Sequence, residues 1–318
     1  MRILTGIQPS GKLHWGNYFG AMKSMFDLQA KGEDMFMFIA NFHAMTTVRD
    51  GAALREATRE VALDYLACGL DPAKTTVYRQ SDVPEVQELA WYLSCLTPMG
   101  LLERCHSYKD KMAHGFEATH GLFAYPVLMA ADILIMNADL VPVGKDQKQH
   151  LEVTRDLCQK FNNAFGEIFK LPDAYIPDSV ATIPGTDVQK MSKSYHNTIE
   201  LFDPSAKKKV MGIVTDSTPM EDPKEPEGNS IYELYKLFAT PEEVAEMAAA
   251  FRAGGHGYGS AKKALLAAYH RLFDPFAARR AELAKDPDAL EDILREGAKK
   301  ARAAAAVQME KVRAAVGL

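Results

Sequence analysis

The sequence predicts an α/β protein, with a parallel sheet flanked by helices in the first half of the chain and a smaller, all-helical part in the second. Two observations carry this. Short apolar runs alternate with segments of helical period up to Phe161, the pattern of consecutive strand–helix–strand units. Beyond Asp203 only helical periods recur. The scale agrees: 318 residues, 47% hydrophobic and 25% charged, suit about two soluble domains.

Taken in order, Arg2–Thr5 is the first strand, and Gln8–Lys12 (QPSGK) is a turn punctuated by Pro9 and Gly11. A helix runs from near Asn17 to Ala30, stopped by Gly32. Met35–Ala40 (MFMFIA) is apolar throughout, as expected of a strand buried on both faces. Leu54, Thr58, Val61 and Tyr65 recur at helical spacing before Gly69. Thr75–Arg79 reads as a strand, Val83–Leu96 and Glu117–Asn137 as helices, the second bent at or before Pro126. Leu140–Val143 is a strand and Gln147–Phe161 a helix. Leu171–Asn197 has three prolines and no period, so it reads as a long functional loop region. Helical patterns then resume, broken by the charged loop Pro219–Gly228, and Asp288–Leu318 is one Ala-rich helix.

Thirty-seven basic residues against 42 acidic ones give a net charge of −5, so a nucleic-acid partner would need a local basic patch. The cysteines, at 68, 95, 105 and 158, form no CxxC pair. That spacing argues against a zinc ribbon, an iron–sulfur cluster or a secreted disulfide framework, and for a reducing cytoplasm. The opening MRILTGIQPSG is broken by Gly and Pro and is not a signal peptide; no apolar run approaches the ~20 residues of a membrane span.

Three stretches carry chemistry. The first, GIQPSGKLHWGNYFGA, follows the first strand. Gly6 allows close approach to the backbone. Gln8, Pro9 and Ser10 shape a loop at a strand's carboxyl end, where α/β sheets bind ligands. His14, Gly16 and Asn17 fall at a helix start, where free N–H groups attract phosphate. The stretch is neither GxGxxG nor GxxxxGK[ST], and taken alone it is more often an ordinary Gly-rich turn. The second, Lys190-Met191-Ser192-Lys193-Ser194, is a donor-rich cationic loop able to clamp a polyphosphate, or simply a solvated basic loop. In the third, Tyr125, Met129 and Asp132 can share a helix face. Asp132 lies in the apolar run MAADILIM, where a carboxylate needs a partner, either an internal ion pair or a ligand N–H. Val141 and Val143 flank a proline at a strand end, as apolar walls for a flat ring or as plain core. His43 closes the second strand, where a lone histidine is more often a satisfied core residue. Lys207–Lys209 is a solvated face or a track for RNA phosphates.

HWGN at 14–17 and KMSKS at 190–194 resemble the two signatures of class I aminoacyl-tRNA synthetases. KMSKS is present letter for letter; the first signature departs from the general H-I-G-H at Trp15 and Asn17. With GIQPSG, GNYFGA, MAADILIM and DLVPVGKDQKQHLEVTRDL, essentially the whole chain resembles the bacterial tryptophanyl-tRNA synthetases. The resemblance implies a Rossmann-like catalytic domain over residues 1–196, a helical anticodon-binding domain over 197–288 and a C-terminal helix, 289–318, packing back on the first. It implies ATP-dependent activation of L-tryptophan, transfer to tRNA(Trp), a homodimer and a cytoplasmic setting.

By the same resemblance, ATP lies on Gln8, Pro9, Ser10, His14, Gly16, Asn17, Gly144, Lys145, Asp146, Ile183 and the KMSKS residues Lys190, Met191, Ser192, Lys193 and Ser194. Asp146 holds either the ribose hydroxyls or a lysine. Lys111, Lys190 and Lys193 are the catalytic cations, with Mg²⁺ held mainly on the ATP phosphates and no metal-ligating side chains. Tryptophan lies among Gly6, His43, Tyr125, Met129, Asp132, Val141, Val143 and Gln147; Asp132 receives the indole N–H and Gln147 reaches the ammonium group.

Three rivals stay in view. Tyrosyl-tRNA synthetases share fold and signatures, but commonly carry Gln three residues before that Asp, where Met129 offers only a thioether. Small-molecule adenylyltransferases use similar signatures in shorter chains. A non-enzymatic paralogue would often have lost a signature lysine, and both remain.

Overall fold

Met35 to Ile39 are apolar without alternation because the strand they form is central and covered on both faces. The computed structural model describes residues 1–105, 109, 112, 115, 117–144, 147–175 and 183–318. Its sheet has five strands: β1 (Arg2–Ile7), β2 (Asp34–Ile39), β3 (Thr75–Arg79), β4 (Leu140–Pro142) and β5 (Asp173–Tyr175). The order is β3-β2-β1-β4-β5, parallel at every pairing, with Arg2 opposite Asp34 and Ile7 opposite Ile39. The chain winds outward from β1 to β3 and then restarts on the other side of β1. The switch point is therefore the crevice between the carboxyl ends of β1 and β4, where open α/β sheets take ligands.

The chain divides into two compact units, one of Met1–Gly11, Met25–Pro177 and Asp286–Leu318, the other of Lys12–Ser24 and Asp178–Lys285. In the first, the helices Glu85–Leu96, His120–Ile135 and Lys148–Phe165 bury Leu89, Leu93, Ala130, Ile135, Leu157 and Phe161 in one core. Thr119 caps His120–Ile135 by accepting from Leu122 N–H, and the helix continues through a buried Pro126.

The last helix, Pro287–Val316, lies along edge strand β3 and buries Ala298, Ala301, Ala305, Met309 and Val312. It comes so close that a Cβ on Gly297 would sit 1.7 Å from the Val77 carbonyl oxygen. Arg79 clamps Glu291 through two hydrogen bonds of 2.8 and 2.9 Å. The helix thus covers an edge that would otherwise be open to pairing with another chain. Gly297→Ala should destabilise the protein by at least about 1–3 kcal/mol, the usual cost of overpacking a filled interior. A thermal midpoint equal to wild type would contradict this packing.

The second unit is built on aromatic rings. Trp15 is fully buried against Phe238 and Tyr269, with centroids 4.8 and 5.2 Å away, and Tyr18 packs edge-on to Phe273 at 5.0 Å. Lys224 and Lys262, both buried, spend their ammonium groups on backbone carbonyls: Pro219, Met220 and Asp222 for the first, Met211 and Ile213 for the second.

Two local features differ from the sequence expectation. The helix expected from Asn17 to Ala30 is one α turn (Trp15–Asn17), a wider π turn (Tyr18–Met22) and an α segment (Lys23–Ala30). β5 falls in the stretch expected to be loop; its three residues, Asp-Ala-Tyr, carry no apolar signal and are held by pairing with β4. Among the described residues, no helix is long and apolar enough to cross a membrane.

Candidate active site

In the first unit, the carboxyl ends of β2 and β3 are stitched together by amide side chains. Asn41, just after β2, accepts from Ser81 N–H at 3.0 Å and donates to Ser81 Oγ at 2.7 Å. Gln80, just after β3, returns the contact: its Oε1 accepts from the N–H groups of Phe42 and His43 at 3.0 and 3.3 Å. Gln8, past the end of β1, donates to the His43 carbonyl at 3.1 Å. Three successive strand ends are thereby locked around His43.

Asp132 reaches this cluster from the helix His120–Ile135. It is 3% exposed. His43 Nε2 lies 2.8 Å from its Oδ2, and Gln80 Nε2 lies 2.9 Å from both carboxylate oxygens. Burial pushes the carboxyl above its ordinary pKa, while His43 and Gln80 pull it back. The phenol of Tyr78 is driven well up by burial and by the Asp132 charge. Two turns earlier on the same helix, Tyr125 stands edge-on to His43, with centroids 6.3 Å apart, and hydrogen-bonds His150 Nε2. His150 Nδ1 in turn meets Gln147 Oε1 at 2.8 Å. Val141 and Val143 are buried at the end of β4, and the Gly144 carbonyl accepts from Gln147 N–H at 3.0 Å. Gly6 is glycine for a packing reason: a Cβ there would come 2.5 Å from the Phe38 ring.

In the second unit, residues 13–15 pair with 199–201, Trp15 N–H donating to the Ile199 carbonyl and Leu201 N–H to that of Leu13, both at 3.0 Å. Asn17 closes the first helical turn by accepting from His14 N–H at 3.0 Å. The His14 ring is buried and its Nδ1 makes no hydrogen bond. Burial, assisted by the nearby Lys193 charge, pulls its pKa down to about 4, so the imidazole is neutral at neutral pH. A Cβ on Gly16 would come within 2.9 Å of that ring and 3.6 Å of Met191 Cβ, so Gly16 is where the two signatures press together.

The KMSKS residues belong to a hairpin. Met191 N–H donates to the Ile183 carbonyl and Gly185 N–H to that of Gln189, both at 2.7 Å. Asn197, just beyond the hairpin, holds it closed: its amide accepts from Ser192 N–H at 2.8 Å and donates to Asp187 and to the Lys190 carbonyl at 2.7 and 3.0 Å. Ile183 and Met191 are buried, whereas Ser192 and Ser194 exchange a hydroxyl bond of 2.8 Å near the surface. Lys193 is half-buried, and burial lowers its pKa against the opposing effect of Glu200.

Residues 1–274 match the family described as tRNA synthetases class I (W and Y). The chain is 56% identical to the tryptophan–tRNA ligase of Rhodopirellula baltica over 320 aligned residues, covering both proteins fully. The chain belongs to the class I tryptophanyl-tRNA synthetases. Its fold matches the tryptophanyl-tRNA synthetase of Campylobacter jejuni, solved with ADP and tryptophan, with a TM-score of 0.94, 51% identity and full coverage of both chains. The Mycoplasma pneumoniae synthetase matches at TM-score 0.86 and 31% identity, with 100% and 97% covered.

In this synthetase the first unit brings together Gln8, His43, Tyr125, Asp132 and Gln147, the last through His150, with Gly6, Pro9, Ser10, Val141, Val143 and Gly144 in or just past strands of the same sheet and Met129 one turn before Asp132. The second unit brings together His14, Gly16, Asn17, Ile183 and Lys190 to Ser194. Lys111, Lys145 and Asp146 lie outside the described residues. Sequence reasoning missed Gln80 and His150, both 1% exposed. His150 had a signal, lying three residues after Gln147 on one helix. Gln80 had none, being a glutamine in a polar turn 52 residues from its partner.

The depressed pKa of His14 ties the stability of the fold to pH. The unfolded chain takes up a proton at about pH 6.5 and the folded one only at about 4. This site therefore costs stability progressively as pH falls between those values, up to roughly 3 kcal/mol at 1.36 kcal/mol per pKa unit. In urea melts at pH 7 and at acid pH, His14→Asn should lose less stability on acidification than wild type. Equal losses would contradict the neutral, desolvated imidazole.

Proposed function

We infer that this synthetase joins L-tryptophan to ATP, releasing pyrophosphate, and passes the tryptophanyl group to the terminal adenosine of tRNA(Trp). The observation that carries the tryptophan reading is Asp132, a buried carboxylate fixed by His43 and Gln80 at the strand ends. The indole ring has one polar atom, an N–H donor, and a fixed anionic acceptor in an apolar pocket is its complement. Met129 offers no donor to a phenol. Gly6, Tyr125, Val141 and Val143 supply the walls and Gln147 the contact to the ammonium group.

The chemistry needs no covalent enzyme intermediate. The tryptophan carboxylate attacks the α-phosphate in line, so positioning and charge stabilisation suffice. Gln8, Pro9, Ser10, His14, Gly16, Asn17, Gly144, Lys145, Asp146, Ile183, Met191, Ser192 and Ser194 form the nucleotide cradle, and the neutral His14 offers a polar edge to ATP without adding charge. Lys111, Lys190 and Lys193 meet the growing negative charge. Mg²⁺ arrives on the ATP phosphates, whose hard oxygens it prefers, and screens their charge.

The helical residues 197–288 would read the anticodon, with exposed Lys207 and Lys208 available for phosphates. Residues 1–196 with the terminal helix would hold the chemistry. We place the work in the cytoplasm, as a homodimer. Trp91 and Met45 are 68% and 53% exposed and line a cavity of about 410 Å³ with Leu128 and Tyr125, and apolar surface of this kind marks an interface. Trp91→Glu should shift the sedimenting species from dimer to monomer; an unchanged species would remove this face from the interface.

Tryptophan-dependent ATP–pyrophosphate exchange, followed by charging of tRNA(Trp), tests the whole reading. Exchange and charging with tryptophan, and little with tyrosine, are expected. Exchange without charging would point to an adenylyltransferase, and strong tyrosine activation to the tyrosyl branch.

A further inference from the structure

The orientation of the Gln80 amide is dictated by its neighbours. The N–H groups of Phe42 and His43 can only donate, so Oε1 faces them and Nε2 faces Asp132. Oδ2 of Asp132 then receives two donors, His43 Nε2 and Gln80 Nε2, and Oδ1 receives one. A carboxylate oxygen has two in-plane acceptor positions, which leaves one on Oδ1 for a further donor.

We propose that Gln80 is a positioning residue for amino-acid choice: one amide grips both the Asp132 carboxylate and the backbone that carries His43, and so presents Oδ1 as a fixed acceptor to the substrate's ring N–H. The proposal rests on the reading of Asp132 as the indole acceptor. Its physical reason is that a carboxyl buried this deeply is drawn toward its neutral form. A protonated carboxyl able to turn would offer a hydrogen to an N–H that cannot accept it. An amide donating to both oxygens favours the anion and restrains its rotation.

The test is Gln80→Glu, with Gln80→Met beside it. In the first variant one carboxyl oxygen can still accept from Phe42 and His43, so the strand ends stay joined. The other oxygen faces Asp132, and two carboxylates in contact hold a shared proton at low pH and repel once it leaves. The titratable groups facing Asp132, His43 from the β2 end and Tyr78 from β3, are unchanged in the variant. The readout is the ratio of kcat/KM in pyrophosphate exchange for tryptophan and for its isostere with sulfur in place of the ring N–H, followed from acid to alkaline pH.

Wild type should hold its preference as pH rises. Gln80→Glu should lose it on the alkaline side by about tenfold or more, the size of one charged hydrogen bond. Gln80→Met, which donates nothing, should show a low preference at every pH. If wild type prefers tryptophan, Asp132→Ala abolishes that preference and both Gln80 variants retain it, the positioning role is overturned while the Asp132 reading stands. If wild type shows no preference, the Asp132 reading fails and the inference fails with it.

Discussion

Lys193→Ala is expected to slow tryptophan activation by about 10²–10³-fold, the loss seen when one charge-stabilising group is removed from a desolvated site. Lys193 is half-buried next to the neutral His14, with Glu200 as the carboxylate that acts on it. Its charge is therefore less screened than that of a surface lysine. In the proposed role, the negative charge it meets grows on the phosphates only as pyrophosphate departs, so the effect should fall on the chemical step. Tryptophan affinity should change little, because the cluster of His43, Gln80 and Asp132 proposed to bind the amino acid is built without Lys193. Single-turnover release of pyrophosphate at saturating tryptophan measures this, and an unchanged rate would contradict the role. Burial lowers the pKa of Lys193, so the wild-type rate should begin to fall at a lower alkaline pH than an ordinary lysine would allow. That limb should vanish in the variant.

Asp132→Ala should lower kcat/KM for tryptophan by roughly 10- to 200-fold, from a charged hydrogen bond of about 1.5–3 kcal/mol. The larger figure is favoured, because the substitution also removes the acceptor that Nε2 of the buried Gln80 and His43 Nε2 now share. In wild type, tryptophan affinity should weaken as pH falls through the Asp132 pKa, which burial sets above the ordinary carboxylate value. Protonation removes the acceptor, so the loss lies on the acid side. Equilibrium dialysis across that range checks it.

The sheet was legible where side chains declare it. MFMFIA is apolar throughout because β2 has neighbours on both sides and helices on both faces, and Thr75–Arg79 was read to the residue. β5 was not legible, since a three-residue strand with no buried position is defined by its neighbour alone. The π turn at Tyr18–Met22 changes backbone hydrogen bonding and leaves no mark in residue type. In the candidate site, the apolar run around Asp132 announced that a partner had to exist. It could not say that the partner would be an amide from the end of β3, because pairings across strand ends have no sequence period. Trp15, a departure from the general signature, is explained by packing: its ring fills the aromatic core of the second unit.

The central claim is that a fixed carboxylate at residue 132 reads the indole N–H. It is tested most directly by a double cycle of protein and ligand: wild type and Asp132→Ala, each with tryptophan and with the sulfur isostere lacking the ring N–H. The four values of kcat/KM isolate this contact from everything else the two changes disturb. A strong wild-type preference for tryptophan that collapses in Asp132→Ala is the expected result. The same preference ratio in both proteins would contradict the account.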